Sequence, residues 1–70
     1  MRYHEHEIIR LLVDLPKLGL KKGEIGTIVF VFDKPNEAYE VEFVDKDGKT
    51  RNQTVLLPHQ FEVLQGKQPK

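Results

Sequence analysis

Lys22-Gly23-Glu24-Ile25-Gly26-Thr27-Ile28-Val29 decides the reading of this chain: a basic pair and two glycines three residues apart lead straight into a β-branched run that continues to Phe32. Glycine is the residue of least cost where a turn needs positive φ, so Gly23 is expected to close a turn. Gly26, inside the run, is expected to let the strand bend sharply or to bring its backbone against a neighbour. Ile25 to Phe32 is nearly continuously apolar, and its Ile, Val and Phe content selects a strand over a helix. Both faces of that strand need cover.

On the amino-terminal side, Ile8-Ile9-Arg10-Leu11-Leu12-Val13-Asp14 runs into Leu15-Pro16. Pro16 pushes Leu15 toward extended backbone and closes the element, predicting a strand at about 7–14. A helix is the rival, but the segment is short, β-branched at three positions and poorly capped. Residues 16–24 read as a Lys- and Gly-rich loop. On the carboxyl side, Asp33-Lys34-Pro35-Asn36-Glu37 is a compact turn in which Pro35 sets φ and Asn36 tolerates the left-handed region. Ala38 to Val44 then alternates, with Tyr39, Val41 and Phe43 on one face and Glu40 and Glu42 on the other, as a half-buried strand does. Asp47-Gly48 marks a second hairpin turn, Thr50 to Leu57 returns as a fourth strand, and Pro58-His59-Gln60 predicts one short 3₁₀ turn before a closing strand at Phe61 to Leu64. The expected organisation is a polar segment at 1–7, a folded domain at 8–64 and a flexible polar tail at 65–70. Five short strands in so small a chain predict an all-β fold, a five-stranded SH3-like antiparallel barrel.

Seventy residues make one domain, which buries only about 60% of the surface its unfolded chain exposes and has little room for a pocket. The absence of cysteine excludes a disulfide, a thiolate nucleophile and a Cys-type zinc cage, and fits a cytoplasmic location. The longest apolar runs fall well short of the ~20 residues of a membrane helix, and the amino end carries no signal-peptide pattern, so no membrane partner is expected. Eleven basic residues balance eleven acidic ones, which disfavours RNA, since nucleic-acid binders usually carry a positive excess.

No catalytic constellation follows from the residues. His4-Glu5-His6-Glu7 places two imidazoles on one side of an extended segment, but a metal site wants three or four ligands and His59 is the only other histidine. Asp45-Lys46-Asp47-Gly48 shares a fragment with calcium loops but lacks their spacing and their closing Glu, so a hairpin turn accounts for it. Glu40, Glu42 and Asp45 form an acidic strip without a cleft. With no serine and no phosphate loop, the chain is expected to be non-catalytic and to need no cofactor.

The apolar surplus points to binding instead. Strand one offers Ile8 and Leu12 besides Ile9, Leu11 and Val13, strand two is apolar on both faces, and a small barrel has one interior. A protein partner, a second copy of the chain, or the curl of the sheet itself would cover the rest. The residues expected to hold a partner are Ile8, Arg10, Leu12, Lys17, Lys21, Lys22 and Phe32. Gly23, Gly26, Pro35, Asn36, Asp47 and Gly48 are expected to be structural. Lys17, Lys21 and Lys22 form a modest anion-binding edge if they meet Arg51 or the tail residues Lys67 and Lys70, and an exposed Tyr3 or Phe32 would offer a ring for stacking.

Lys22 to Val31, with Ala38-Tyr39-Glu40-Val41-Glu42-Phe43, Asp45 to Lys49, Asp14-Leu15-Pro16 and Gly19-Leu20, resembles an uncharacterised, domain-of-unknown-function family of small bacterial proteins frequent in cyanobacteria. The resemblance spans about residues 8–64 and implies a single SH3-like barrel. It also implies, for some members, pairing with a second small protein encoded alongside, as in a toxin and its neutraliser. More distantly, Gly23 to Val31 is similar to the KOW element of ribosomal and transcription-elongation proteins, to a peripheral photosystem subunit and to the second barrel of nitrile hydratase. Those likenesses imply an RNA-associated barrel or an accessory subunit of a larger enzyme or photosynthetic complex. Against RNA, Glu24, Asp33, Glu37, Glu40 and Glu42 stand where a KOW surface would want basic groups.

Overall fold

A computed structural model describes residues 2–65. Of the expected tail, Gln65 ends the last strand, while the rest, including Lys67 and Lys70, lies outside the described residues. The chain forms β1 (Ile8–Leu11), β2 (Ile25–Phe32), β3 (Ala38–Val44), β4 (Thr50–Leu56) and β5 (Phe61–Gln65). All five join one antiparallel sheet in the order β4-β3-β2-β1-β5. A 3₁₀ turn at Pro58–Gln60 precedes β5, closed by Leu57, whose N–H donates to Gln60 Oε1 at 2.8 Å.

The sheet is not closed, because β4 and β5 are its two edges, but it coils strongly. Tyr39 on β3 and Phe61 on β5 are three strands apart, about 14 Å in a flat sheet. Their ring centroids are nevertheless 5.5 Å apart. Coiling brings the inward residues of all five strands into one core of Ile9, Leu11, Ile28, Tyr39, Val41, Phe43, Leu56 and Phe61, with Leu20 added from a loop.

Three parts depart from the sequence reading. First, β1 is half as long as expected at 7–14. Leu11 N–H turns to Glu24 O at 2.8 Å and Leu12 N–H to Gln60 O at 2.8 Å, so the chain leaves the ladder there. Beyond it the loop is built, not loose: Pro16–Leu18 forms a second 3₁₀ turn, ended by Gly19 at φ 70°. Leu15 and Leu20 exchange backbone hydrogen bonds at 2.9 and 3.1 Å, which drives Leu20 into the core.

Second, the polar segment puts one ring inward: Arg2, His4, Glu5 and His6 are exposed, while Tyr3 is half-buried. Tyr3 lies 5.5 Å from the rings of both Tyr39 and Phe61, in the gap that the coiled sheet leaves open. His6 makes the turn that allows it, at φ 76°, and its N–H donates to Ile28 O at 2.8 Å while Ile28 N–H donates back to Glu7 O at 3.0 Å. Histidine is one of the few non-glycine residues that tolerate this region. Tyr3 is therefore half-buried packing, and not a free ring for stacking.

Third, the structural residues play different parts. Gly23 and Gly48 take φ values of 100° and 84° in their turns, as their positions demand. Gly26 has an ordinary φ and makes no turn. A Cβ there would lie 2.7 Å from Val41 Cγ1 and 2.9 Å from Phe43 Cε2, so its role is close approach between β2 and the side chains of β3. Asn36 is not left-handed, and the Lys34–Pro35 peptide beside it is cis.

Candidate interaction face

A single irregularity in β2 creates the most distinctive surface of the molecule. Ile28 pairs with Val41, but the next pairing on β3, Glu40, meets Phe30, so Val29 is an extra residue bulged out of the ladder. Ahead of the bulge the even-numbered Gly26 and Ile28 face the core; after it the odd-numbered Val31 does. Phe30 and Phe32 are thereby turned to the outside. The two rings pack edge-on with centroids 4.8 Å apart.

Cross-strand pairing extends this face over three strands. Phe30 pairs with Glu40, Glu40 with Val55, and Phe32 with Ala38. Leu57, just past β4, joins Phe32, Pro35, Ala38 and Val55 around a shallow groove of about 350 Å³. Phe30, Val55 and Leu57 expose 48%, 52% and 44% of their surface, too much for residues recruited to a core. Aromatic and aliphatic side chains grouped in this way mark contact surfaces rather than the scattered apolar exposure normal in soluble proteins.

The polar half of the same face is tied down. Gln53 Nε2 donates to Glu40 Oε2 at 2.6 Å, and the Thr50 hydroxyl donates to Glu42 Oε2. Asp45 does not join them in an acidic strip. Its Oδ1 accepts the N–H groups of Asp47 and Lys49 at 2.9 and 3.1 Å and holds the hairpin turn.

Of the residues expected to hold a partner, Arg10, Leu12, Lys21 and Lys22 gather near the end of β1, where Gly23 N–H donates to Leu11 O at 2.7 Å, and Phe32 stands apart. Ile8, Arg10 and Leu12 lie on the outside of β1, where Arg10 pairs with Ile25 in register and its Nε and Nη2 reach Glu62 Oε2 at 2.8 and 2.7 Å. Phe32 is at the other end of β2, seven residues from Ile25 and thus roughly 23 Å away. Its actual companions, Phe30, Val55 and Leu57, were missed by the sequence reading; their signal is the spacing of two in each pair, which sends both members to one face.

Lys17, in the Pro16–Leu18 turn, and Lys21 and Lys22, at the loop's end, are exposed. Arg51, the expected companion of these lysines, is drawn into an ion pair with Glu24. Burial pushes the Glu24 carboxyl up, but the Lys21 backbone N–H and the Arg51 guanidinium outweigh it and leave it below its usual range. With Asn52 Nδ2 donating to Leu18 O at 2.9 Å, these contacts fasten the 12–24 loop to β4.

Tyr39 is the one strongly displaced titrating group in the described chain. Burial, and the hydrogen bond its hydroxyl donates to Glu37, push its pKa up to about 12. The residue is structural: its ring is core and its oxygen also accepts the Tyr3 N–H at 3.4 Å. Among the described residues no three His, Asp or Glu side chains come together in a way that would hold a metal ion. Among the described residues no helix is long and apolar enough to cross a membrane.

Comparison with curated proteins and with solved structures gave no match. A family model does match, over residues 5–63, which takes in β1 to β4, the 12–24 loop and most of β5. The chain belongs to the family described as a domain of unknown function, DUF4926.

Proposed function

We propose that the chain is a small non-catalytic protein-interaction module of SH3-like architecture whose docking surface is the outer face of β2, β3 and β4. The strand order, the 3₁₀ turn between the last two strands and the coiling that brings β3 and β5 together support the SH3-like reading. The observation that carries the function is the Phe30–Phe32 ring pair, with Phe32 half-buried and Phe30 exposed with Val55 and Leu57 on a face the core does not use. Aromatic anchors beside a shallow groove are the usual centre of a protein interface.

The most specific form of this reading is the neutralising partner of a small protein encoded next to it, as the resemblance implies. The rival reading, a KOW-like RNA barrel, lacks comparable support. Each of the three arginines faces a carboxylate: Arg2 with Glu37, Arg10 with Glu62 and Arg51 with Glu24. That leaves lysines alone for phosphate contacts.

Co-expression with the adjacent reading frame tests the proposal. The wild-type chain is expected to co-elute with that product, and the Phe30→Thr/Val55→Thr variant, which keeps β-branched side chains on the strands, is expected to lose it. A wild-type chain that elutes alone, or a variant that binds as well as wild type, contradicts it.

A further inference from the structure

The interaction face ends at an edge that is open from Gln53 to Leu56, and this indicates how a partner is held. β4 has β3 on one side only; the 12–24 loop reaches it through Asn52 Nδ2, which donates to Leu18 O, and through the Arg51–Glu24 pair, while among the described residues no turn or loop backbone group hydrogen-bonds to the backbone of residues 50–56. Soluble proteins usually blunt such an edge with Pro, with Lys, or with inward-pointing charges. β4, Thr-Arg-Asn-Gln-Thr-Val-Leu, has none of these; a register shift at Arg51 and the loop contacts of Arg51 and Asn52 protect its start, and Gln53 to Leu56 carry no such device. The groove formed by Phe32, Val55 and Leu57 opens directly beside it.

Resting on the proposed interaction function, we infer that the partner is an extended peptide segment of another protein, added to β4 as a sixth strand, with an apolar side chain in the groove and a Lys or Arg two residues along. Main-chain pairing supplies affinity in this mode, and alternate side chains supply selectivity. The alternation follows from the rows on β4. An added residue beside Val55 meets the groove, and the next one on the same face lies beside Gln53, one strand from Glu42.

Charge selects the occupant. Glu40 and Glu42 line this face with only the neutral Gln53 and Thr50 as hydrogen-bond donors, so an incoming cation meets two carboxylates that no basic side chain has neutralised among the described residues. Lys34 is among the residues lining the groove, which disfavours a cation there and leaves the position beside Gln53 for the basic residue. A second copy fits worse: pairing β4 with β4 would offer Arg51 as the only cation, and Arg51 is held by Glu24.

Display of random twelve-residue peptides against the full chain tests this, followed by amide hydrogen exchange with the best peptide bound. Selected sequences are expected to alternate, with an apolar residue followed at the second position by Lys or Arg, and to slow exchange at alternate amides of residues 50–56. The Glu40→Lys/Glu42→Lys variant is expected to bind the selected peptide at least about tenfold more weakly and to select acidic residues in its place. Bound peptides without the alternation, or exchange unchanged along β4, overturn strand addition. If those peptides still lose affinity in Phe30→Thr/Val55→Thr, the broader interaction function stands. Concentration-dependent dimerisation with β4 protected in the absence of peptide overturns the choice of partner in favour of a second copy.

Discussion

Placing a methyl group at position 26 is the sharpest test of how the sheet is packed. Carbon–carbon contacts are optimal at about 3.5–4.0 Å. The Cβ of Gly26→Ala would stand 2.7 Å from Val41 Cγ1 and 2.9 Å from Phe43 Cε2. Both neighbours are core side chains with no room to swing away. Overpacking of this kind costs about 1–3 kcal/mol, and two simultaneous clashes place it at the upper end. Stiffening the unfolded chain by replacing glycine returns about 0.4–1 kcal/mol, for a net loss of about 2 kcal/mol. In a domain whose stability is about 3–5 kcal/mol, that lowers the melting temperature by roughly 8–16 °C.

A double-mutant cycle measured by urea unfolding assigns the cause. Val41→Ala alone costs about 2 kcal/mol for the cavity it leaves. In the double variant the new methyl occupies part of that cavity, so the total loss should fall about 1–2 kcal/mol short of the sum. If the two losses simply add, or if Gly26→Ala melts like wild type, position 26 is not glycine for want of space and the packing argument is wrong.

Other outcomes follow from the same structure. Tyr3→Ala removes a ring that contacts both Tyr39 and Phe61 and should cost about 2 kcal/mol in chemical denaturation, whereas a merely solvated lead-in would give no change. His6 at φ 76° should accept glycine within about 1 kcal/mol, while His6→Val should cost about 1–3 kcal/mol more than His6→Gly, because a β-branched residue resists that region. Folding holds the Tyr39 phenol neutral, with its pKa raised from about 10 to about 12, so its stabilising contribution is complete below pH 10 and is lost as pH climbs through 12. Denaturation at stepped pH should show wild type losing stability faster than Tyr39→Phe across that interval; parallel curves would refute the assignment.

Much of the fold is legible because its signals are local. The bounds of β2 and β3 follow from a β-branched run after Gly23, from strict alternation at Tyr39, Val41 and Phe43, and from Asp47-Gly48. What escapes the sequence is whatever depends on distant partners. Leu20 is core only because the Leu15–Leu20 bridge folds the loop inward, and Tyr3 packs against the core only because the coiled sheet leaves a gap for it. The bulge at Val29 is harder still. A strand that is apolar on both faces gives no hint of where one residue slips, yet that slip decides which side chains face water. The sequence reading thus found the apolar surplus and located it on β1 and β2, whereas exposed apolar side chains also occur on β3, β4 and β5, and Phe30, Val55 and Leu57 gather around Phe32.

The outward face beyond the bulge is tested most directly by comparing Phe30→Thr/Val55→Thr with Ile28→Thr in urea unfolding, alongside binding of the co-expressed neighbour. The first variant should stay folded, losing no more than about 1 kcal/mol while binding disappears, and Ile28→Thr should lose about 2–4 kcal/mol, because it buries a hydroxyl in the core. A Phe30→Thr/Val55→Thr chain that unfolds as readily as Ile28→Thr, or one that keeps its partner, would contradict the account.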